Sequence, residues 1–590
     1  MPENSDRNLG LGVDGRKPAG ELSSETDPRQ VAYMIGGGLR EGFRARLNVA
    51  ADQVQEGSFL VCDSGRYRYY GLVTDLQLGA SDPRFADERS QRLQPAMARA
   101  LLGKTLYTTA VIYPTLMLDR GPDEPAAAEE WQARVAEGLE TPGPKPVKTV
   151  PAHHTPVRLA DAGDVAEIFG RDGPGMFEIG STIEQGYPVR LDLSRLVKRS
   201  SGIFGATGTG KSFLTRMVLA GLMKEDVAAA LVFDMHNEYG MDIRDPDTGH
   251  MVNGLKSFFG AKVQVAALGS AASVRDRQPD FTLEISSADL QASDILLLEG
   301  TLDLRGTSGV TVAALERTFG RDKWFAAFMR MRPGAVVVEN PDSGKSEPAP
   351  DSVAFWANAN NISASAAEGL HRKLKQIADR DYVKERPAQD AVRQIVDVLE
   401  AGRHVVLSFG RHETELDYLL VSNILTRRIR EHWVHRSEAF RSREEAPPRP
   451  LVIAVEEAHK LLGPEVSAQT SFGAIARELR KYGVTLLVVD QRPSGIDDEV
   501  MSQLGTRITG WLGDDDDIRA VLSGLSGREH LRGMLARLQE KEEVLLLGWG
   551  VRMPIPVRSR RYDDAFFAQM RAGRPVAGRT PAELDADLFP

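Results

Sequence analysis

The stretch SGIFGATGTGKSFLTRMVLAGLM, residues 201–223, decides the fold of this chain. It matches the phosphate-binding pattern G-x-x-x-x-G-K-[ST] at Gly205, Gly210, Lys211 and Ser212. The apolar residues before the pattern can end a strand, and those after it recur at helical spacing. A strand, a glycine-rich turn and a helix in this order predict a P-loop.

The glycines of such a turn let backbone N–H groups point at phosphate oxygens, and the helix directs its positive N-terminus at the same anions. Lys211 is expected to bridge the β- and γ-phosphates, and the Ser212 hydroxyl is expected to ligate magnesium. ATP and Mg²⁺ are therefore the expected ligands. The residues expected to hold the nucleotide are Gly205, Ala206, Thr207, Gly208, Thr209, Gly210, Lys211 and Ser212.

Two adjacent acids follow another apolar run, LVIAVEEAHK, residues 451–460. Successive residues of a strand point to opposite sides, so Glu456 and Glu457 are expected to have separate roles. We assign Glu456 to the metal ion and Glu457 to the attacking water. The alternative is that both are solvated acids that begin a helix.

A third part of the site is predicted from FGAIARELRKYGVTLLVVDQRPS, residues 472–494. An amphipathic helix is followed by a buried strand over Val484–Val489, and Gln491 comes just after the strand. Ligands of open α/β sheets collect at strand ends, so Gln491 can contact both the γ-phosphate and the attacking water. It could instead cap a turn.

The pattern of apolar and polar residues changes along the chain. Short alternating strands over residues 42–79 suggest a small β-barrel, whereas apolar strands alternate with amphipathic helices from about residue 199. The predicted organisation is a flexible tail over 1–28, a barrel over 29–170 with a proline-rich insertion at about 121–156, an α/β ATPase core over 171–565 with a largely helical insertion at about 280–395, and a tail over 566–590. The run GDDDD, residues 513–517, is expected to be an exposed loop.

The composition excludes several classes of protein. No stretch approaches the roughly 18 apolar residues of a membrane helix, and the polar start resembles no signal peptide, so a cytoplasmic protein without membrane contact is expected. The single cysteine, Cys62, excludes disulfides and cysteine-rich zinc sites. The net charge of -10 argues only weakly against a nucleic-acid partner, because charges are screened over about 8 Å.

Together these motifs resemble the HerA family of hexameric DNA-translocating ATPases, which are relatives of FtsK in the RecA-like group. The likeness rests on the P-loop, on VEEAHK at 455–460, on RKYGVTLLVVDQRPS at 480–494 and on FDMHNEYG at 233–240. The last segment resembles the family's D-x-H-G-E-Y pattern, with Asn237 where glycine is usual. Asp234, His236 and Glu238 match that pattern; Asp234 could order magnesium-bound water or hold the following turn.

The resemblance implies a RecA-like motor behind a small N-terminal barrel, and a homo-hexamer that threads double-stranded DNA. It further implies a role in DNA end resection and recombinational repair with a NurA-like partner nuclease. A neighbouring subunit would supply an arginine to the transferred phosphate, with Arg480 and Arg199 as candidates. Basic residues at 321–332 and 371–375 are candidates for holding DNA phosphates, or are solvated faces.

Two other functions stay open from the sequence. One is a secretion or conjugation ATPase that moves protein or a DNA–protein complex. The other is a nucleotide-gated clamp or scaffold that hydrolyses ATP slowly. The rate of ATP turnover with and without DNA distinguishes the readings.

Overall fold

The computed structural model describes residues 27–81, 106–122, 124–140, 143–244, 249–269, 277–334, 337–339, 346–443, 446–467 and 470–571. Most of the two predicted tails, 1–28 and 566–590, lies outside the described residues.

Short antiparallel strands near the N-terminus close into a barrel. The strands are β1 (Gln30–Gly38), β2 (Gly42–Leu47), β3 (Phe59–Ser64), β4 (Tyr67–Ala80), β5 (Leu106–Asp119), β6 (Lys145–Pro146) and β7 (Pro156–Leu159). They follow the order β2-β1-β7-β3-β4-β5-β6, and β5 also pairs with β2, which closes the barrel. The predicted N-terminal barrel is confirmed.

Strand β3 shows how the barrel joins the rest of the molecule. Leu60 and Cys62 face the barrel interior, whereas Phe59 and Val61 pack into the main core of the protein. This follows from the period-2 alternation of a strand. Burial raises the pKa of the Cys62 thiol to about 12, so this cysteine is an unreactive core residue.

A large sheet forms the centre of the molecule. The remaining strands are β8 (Met176–Thr182), β9 (Pro188–Asp192), β10 (Ser201–Phe204), β11 (Ala229–Asp234), β12 (Ile243–Arg244), β13 (Met251–Val252), β14 (Val263–Leu268), β15 (Phe281–Leu283), β16 (Ile285–Ser286), β17 (Val337–Glu339), β18 (Ser346–Pro348), β19 (Val383–Lys384), β20 (His404–Ser408), β21 (Leu451–Glu456), β22 (Val484–Asp490), β23 (Thr506–Thr509), β24 (Glu543–Gly548) and β25 (Ile555–Ser559). Twelve of them make one sheet in the order β15-β14-β20-β11-β21-β22-β10-β23-β24-β25-β8-β9.

Neighbouring strands from β15 to β23 in this order are parallel, and those from β23 to β9 are antiparallel. Every residue of β21 and β22 is buried, because helices cover both faces of the parallel part. Strand β22 lies between β10, which precedes the P-loop, and β21, which carries the two acids. The predicted RecA-like fold is confirmed.

Helices pack around the sheet. They are α1 (Pro125–Ala136), α2 (Ala162–Phe169), α3 (Leu193–Leu196), α4 (Lys211–Lys224), α5 (Leu255–Phe259), α6 (Ala292–Leu297), α7 (Ser308–Phe319), α8 (Trp324–Arg330), α9 (Val353–Ala359), α10 (Ala364–Ala378), α11 (Ala391–Glu400), α12 (Glu415–Arg443), α13 (His459–Leu462), α14 (Ser471–Glu478), α15 (Asp498–Gln503), α16 (Asp515–Leu522), α17 (Arg528–Ala536) and α18 (Asp564–Arg571). Helices α6 to α11 fall between β15 and β20, in the region where the sequence predicts a helical insertion.

The predicted exposed acidic loop at 513–517 is right about the exposure of residues 513–516 but wrong about the loop beyond Asp514. Helix α16 begins inside this run, and the Asp514 carboxylate caps it by accepting the Asp516 N–H at 2.7 Å. Asp517 is buried and accepts the Ser494 N–H at 3.0 Å. The acids gather here because the positive end of a helix dipole favours negative side chains in its first turn.

Candidate active site

Several parallel strands end at one edge of the large sheet. The P-loop follows β10, and Asp234, Glu456 and Asp490 are the last residues of β11, β21 and β22. The register places Phe204 beside Asp490 and Glu456 beside Val489. Because ligands of such sheets bind beyond the carboxyl ends of the strands, this edge is the candidate site.

The geometry of the P-loop explains why glycine occupies positions 205, 208 and 210. A Cβ on Gly205 would lie 2.6 Å from Thr209 Oγ1, so it would displace the hydroxyl that donates to the Ala206 carbonyl oxygen. Gly208 and Gly210 have φ angles of 82°, a left-handed conformation that favours glycine. Helix α4 begins directly afterwards at Lys211, so its unpaired first N–H groups face the loop.

Three predicted catalytic side chains meet beside the P-loop. Lys211 Nζ lies 3.7 Å from Glu457 Oε1. The Gln491 amide donates a hydrogen bond to the same oxygen at 2.8 Å, and its carbonyl oxygen accepts one from the Thr207 hydroxyl. The structure therefore brings one cation, one carboxylate and one amide together, through an ion pair and hydrogen bonds.

The backbone at Glu457 is held in an unusual conformation. Its φ angle is 46°, which is uncommon for a residue other than glycine and is found preferentially at functional sites. The following turn is fixed by Asp490, whose carboxylate accepts the His459 N–H at 2.6 Å and contacts the His459 ring at 2.9 Å. The hydrogen bond with Asp490 raises the pKa of His459.

Glu456 has different partners from its neighbour. Its Oε1 accepts a hydrogen bond from the Tyr239 hydroxyl at 3.2 Å, while its buried Oε2 has no hydrogen-bond partner among the described residues. Burial raises the pKa of Glu456 well above its usual range, and repulsion by Asp234 and Glu238 adds to the effect. The two acids thus occupy separate environments, because β21 ends at Glu456 and the chain leaves the extended conformation at Glu457.

These features fit a divalent cation. Glu238 Oε2 is a second buried carboxylate oxygen for which the described residues provide no partner. A cation near Glu456, Glu238 and the Ser212 hydroxyl would offset the repulsion between the acids. The described part of the chain contains no group of three or more His, Cys, Asp or Glu side chains arranged to hold a metal, so phosphate oxygens would have to complete the ligand set.

The motif segment 233–240 forms a tight turn after β11. The buried Asp234 carboxylate accepts the N–H groups of Glu238 at 2.7 Å, Tyr239 at 2.9 Å and Gly240 at 3.3 Å. Of the two roles open from the sequence, these contacts support holding the turn. His236 is exposed.

The same turn explains Asn237. Its φ angle is 57°, a left-handed conformation that glycine adopts freely and asparagine tolerates better than most residues. The Ser408 hydroxyl donates a hydrogen bond to its side-chain oxygen. Asparagine can therefore replace the glycine that is usual in the family pattern.

Sequence reasoning missed one buried cation of the site. Arg216 on α4 is 2% exposed, and its Nε and Nη2 donate to the Glu238 carbonyl oxygen at 2.8 and 2.6 Å. Its guanidinium lies over the rings of Phe213, Tyr239 and Tyr562. It therefore ties the P-loop helix to the turn that presents Glu238 and Tyr239. The sequence signal was weak, since an arginine among apolar helical residues usually lies on the solvent side.

The two arginine candidates lie away from this group. Arg480 is exposed on a 3₁₀ turn, Leu479–Tyr482, that precedes the amino end of β22. The seven residues of β22 span about 20 Å, which separates Arg480 from Gln491 at the other end. Arg199 precedes β10, and its guanidinium lies 4.2 Å from the Trp549 ring centroid. The structure thus packs Arg199 against its own chain, whereas Arg480 faces solvent.

The basic segments predicted as DNA contacts are largely paired with acids. Lys373 lies 3.0 Å from Asp303, and Lys375 lies 2.7 Å from Asp379. Arg330 and Arg332 pair with Glu385 and Asp351. His371, expected at the surface with them, is buried because it falls on the apolar face of α10.

Within the described ranges, no helix combines the length and the apolar character needed to cross a membrane.

Residues 177–429 match the family model described as the central domain of helicase HerA. The DNA double-strand break repair helicase HerA of Sulfurisphaera tokodaii is 25% identical over 422 residues, which cover 70% of this chain and 74% of the relative. That of Pyrococcus furiosus is 25% identical over 414 residues, covering 67% and 71%.

Solved structures give more distant matches. VirB4 of Thermoanaerobacter pseudethanolicus is 15% identical with a TM-score of 0.41, and the match covers 67% of this chain and 98% of that one. The plasmid coupling protein TrwB in complex with ADP and Mg²⁺ is 14% identical with a TM-score of 0.39, covering 68% and 92%. The resemblance predicted from the motifs is confirmed by the family model and the curated relatives: residues 177–429 match the model of the HerA central domain, and about 70% of the chain is similar to HerA helicases.

Proposed function

We propose that this protein is an ATP-hydrolysing motor that moves along double-stranded DNA as a ring of six subunits. Its task would be the resection of broken DNA ends for recombinational repair, together with a partner nuclease of the NurA type. The proposal takes its reaction from the site described above, and its DNA substrate and setting from relatives named as double-strand break repair helicases. A cytoplasmic location belongs to the same proposal.

The observation that carries the proposal is the contact of Lys211, Gln491 and Glu457 beside the P-loop. Glu457 would take a proton from a water molecule as its oxygen attacks the γ-phosphorus. The bond between that phosphorus and the β–γ bridging oxygen breaks, which leaves ADP and phosphate. Lys211 would neutralise charge on the β- and γ-phosphates, and the P-loop N–H groups would fix their position.

Gln491 suits a sensor of the γ-phosphate. Its amide nitrogen is held by Glu457 and its carbonyl oxygen by Thr207 of the P-loop, so a change at either contact alters the other. Asp490 would position the catalytic turn through His459. Through Gln491 and Asp490, a change at the nucleotide can be transmitted to β22 and to the segment that follows it.

Ser212, Glu456 and Glu238 would hold Mg²⁺. When bound, that ion neutralises charge on the phosphate oxygens. Glu456 and Glu238 are suited to this role because each keeps a buried oxygen without a partner among the described residues. Arg480, exposed at the opposite edge of the sheet, would act on the nucleotide of a neighbouring subunit in the ring.

Turnover with and without DNA tests the proposal. Linear duplex DNA is expected to stimulate ATP hydrolysis, and Lys211→Ala is expected to abolish the activity in both conditions. Lys198→Ala, which removes an exposed lysine outside the P-loop, is the matched control and should keep the stimulation. Equal turnover with and without DNA would contradict translocation and favour the slow clamp. Native mass spectrometry of the wild-type protein with ATP and DNA tests the six-membered ring.

A further inference from the structure

The turn Gly548-Trp549-Gly550, which follows β24, has no part in the chemistry described so far. The Trp549 N–H donates to the Gly505 carbonyl oxygen at 2.6 Å, and the Gly550 N–H donates to Thr506 Oγ1 at 2.8 Å. Gly548 has a φ of 90°, and a Cβ there would lie 2.1 Å from the Gly505 carbonyl oxygen. The backbone of this turn is therefore held against the start of β23, which fixes the position of Trp549.

Two arginines lie over the Trp549 indole. The guanidinium of Arg199 lies 4.2 Å from the ring centroid, and that of Arg195 lies 4.6 Å from it. Within the described ranges, neither guanidinium forms an ion pair with a carboxylate. Trp549 remains 38% exposed, so the two positive charges lie close together beside solvent. Because like charges repel, an anion would be bound favourably at this place.

The position of Arg199 separates it from the P-loop of its own chain. Arg199 comes before β10 and the P-loop comes after it, and the four residues of β10 span about 13 Å. Arg480, which is proposed to act on a neighbouring subunit, precedes β22, and β22 pairs in parallel with β10. The two arginines therefore lie at the same, amino edge of the sheet. Head-to-tail contacts in a ring join different surfaces of adjacent copies, so this edge can face the P-loop edge of the next copy.

We infer that Trp549 is a positioning residue, which holds the Arg199 guanidinium ready to contact the phosphates of a nucleotide bound to a neighbouring copy. The inference rests on the proposed ring of subunits. It goes beyond that function because it identifies the side chain that prepares Arg199 for the contact. Arg199 is a candidate from the sequence, whereas no sequence motif assigns a role to Trp549.

The contact suits this role for two physical reasons. A planar guanidinium that lies over a ring keeps the N–H donors at its edge free, and these donors can bind two phosphate oxygens at once. The contact also restricts a long side chain, so less conformational entropy is lost when a phosphate binds. The backbone adds to the restriction, since a Cβ at Gly505 would lie 2.7 Å from Arg199 Cδ. Arg199 is thus held in place before any nucleotide arrives.

The ATP turnover of Trp549 variants tests the inference. Trp549→Leu keeps apolar bulk but removes the ring, whereas Trp549→Phe keeps an aromatic face. With duplex DNA present, the leucine variant should lower kcat about two- to thirtyfold, the range that a cation–π contact supplies, and leave the KM for ATP unchanged. The phenylalanine variant should keep most of the activity. Phe440→Ala, at an exposed phenylalanine of α12, is the matched control and should keep wild-type values.

A double-mutant cycle separates positioning from general packing. Arg199→Ala alone and Arg199→Ala combined with Trp549→Leu should have the same kcat, because Trp549 acts only through Arg199. A further loss in the double variant would overturn the inference, since it would show that Trp549 acts by another route. An unchanged kcat in a folded, assembled Trp549→Leu variant would overturn it as well.

The remaining outcomes concern what the arginine contacts. Mixing Arg199→Ala with Lys211→Ala should restore part of the turnover, because some interfaces then join an intact Arg199 to an intact P-loop, and no recovery at any ratio would overturn the inference. A weaker affinity of Trp549→Leu for duplex DNA, with kcat unchanged at saturating DNA, would assign the contact to DNA and would also overturn it. A wild-type protein without ATP turnover would instead contradict the proposed function, and the inference with it.

Discussion

Replacing Glu457 by glutamine tests whether Glu456 and Glu457 have separate roles. The variant keeps the size of the side chain and an oxygen that can accept the hydrogen bond from Gln491, which is 2.8 Å long in the structure. It removes the negative charge that lies 3.7 Å from Lys211 Nζ. We therefore expect folding and ring assembly to be preserved and ATP hydrolysis to be lost.

The structure gives the expected size of the effects on kcat and on ATP binding. Loss of a positioned general base lowers kcat by about 10²- to 10⁴-fold. At 3.7 Å and an effective dielectric constant of about 20, the gross Coulomb attraction between Lys211 and Glu457 is about 4–5 kcal/mol, most of which desolvation offsets. Phosphates of a bound nucleotide would compete with Glu457 for the same ammonium group. Without that competition, ATP should bind as tightly as before or up to about tenfold more tightly, a change of about 1.4 kcal/mol.

The assay pairs steady-state phosphate release with equilibrium binding of ATP. Glu529→Gln, at an exposed position in the first turn of α17, is the matched control and should keep wild-type values in both measurements. Unaltered turnover in Glu457→Gln would refute the assignment of the water to this acid. A large loss of ATP affinity would refute the argument that Glu457 competes with phosphate for Lys211.

Three further predictions concern the turn after β11, the histidine beside Glu457 and the proposed contact between subunits. Asn237→Ala and Asn237→Gly both lose the hydrogen bond from Ser408, but only alanine is strained at a φ of 57°. The alanine variant should therefore be about 1–2 kcal/mol less stable than the glycine variant and unfold at a lower temperature. Equal thermal midpoints of the two variants would contradict this prediction. Asp490 raises the pKa of His459 above its ordinary value of 6.5. The stability that this contact adds to the folded state is therefore complete below pH 6.5 and is lost as the pH rises through the higher folded-state value. The thermal midpoint of the wild type should exceed that of His459→Gln by more at about pH 6 than at about pH 9, and a difference that does not depend on pH would count against the prediction. Mixing Arg480→Ala with Lys211→Ala should restore part of the ATP turnover, because some interfaces then join an intact P-loop to an intact Arg480, and no recovery at any mixing ratio would leave Arg480 without a role in trans.

The parts of the site that follow directly from local sequence could be predicted. The P-loop, the acids at the end of β21 and Gln491 after β22 each come just beyond an apolar strand, and the parallel order of the strands brings them to one edge. The contacts that join them could not be read in this way. Tyr239 and Glu456 are 217 positions apart, and their hydrogen bond depends on how β11 and β21 pair.

Buried charges were the main source of error. Arg216 and His371 were read as surface residues or passed over, because a polar residue on a helix is usually solvated. Each is buried in the structure, and Arg216 is stabilised there by a carbonyl group and aromatic rings, a combination with no fixed spacing in sequence. The prediction for the acidic run at 513–517 was right about the exposure of residues 513–516 but missed the helix that begins within the run and gives some of its acids a structural role.

The pairing of β25 with β8 also affects how shortened forms of the protein would behave. Val557 lies beside Thr182, so a strand from the end of the described chain sits inside the sheet, between β24 and β8. Cutting the chain before Ile555 would therefore leave two bare strand edges in the middle of the sheet, and such edges recruit strands from other molecules. Fragments of this kind should aggregate, whereas an affinity tag joined beyond Arg571 does not interrupt the hydrogen bonds between β25 and its neighbouring strands.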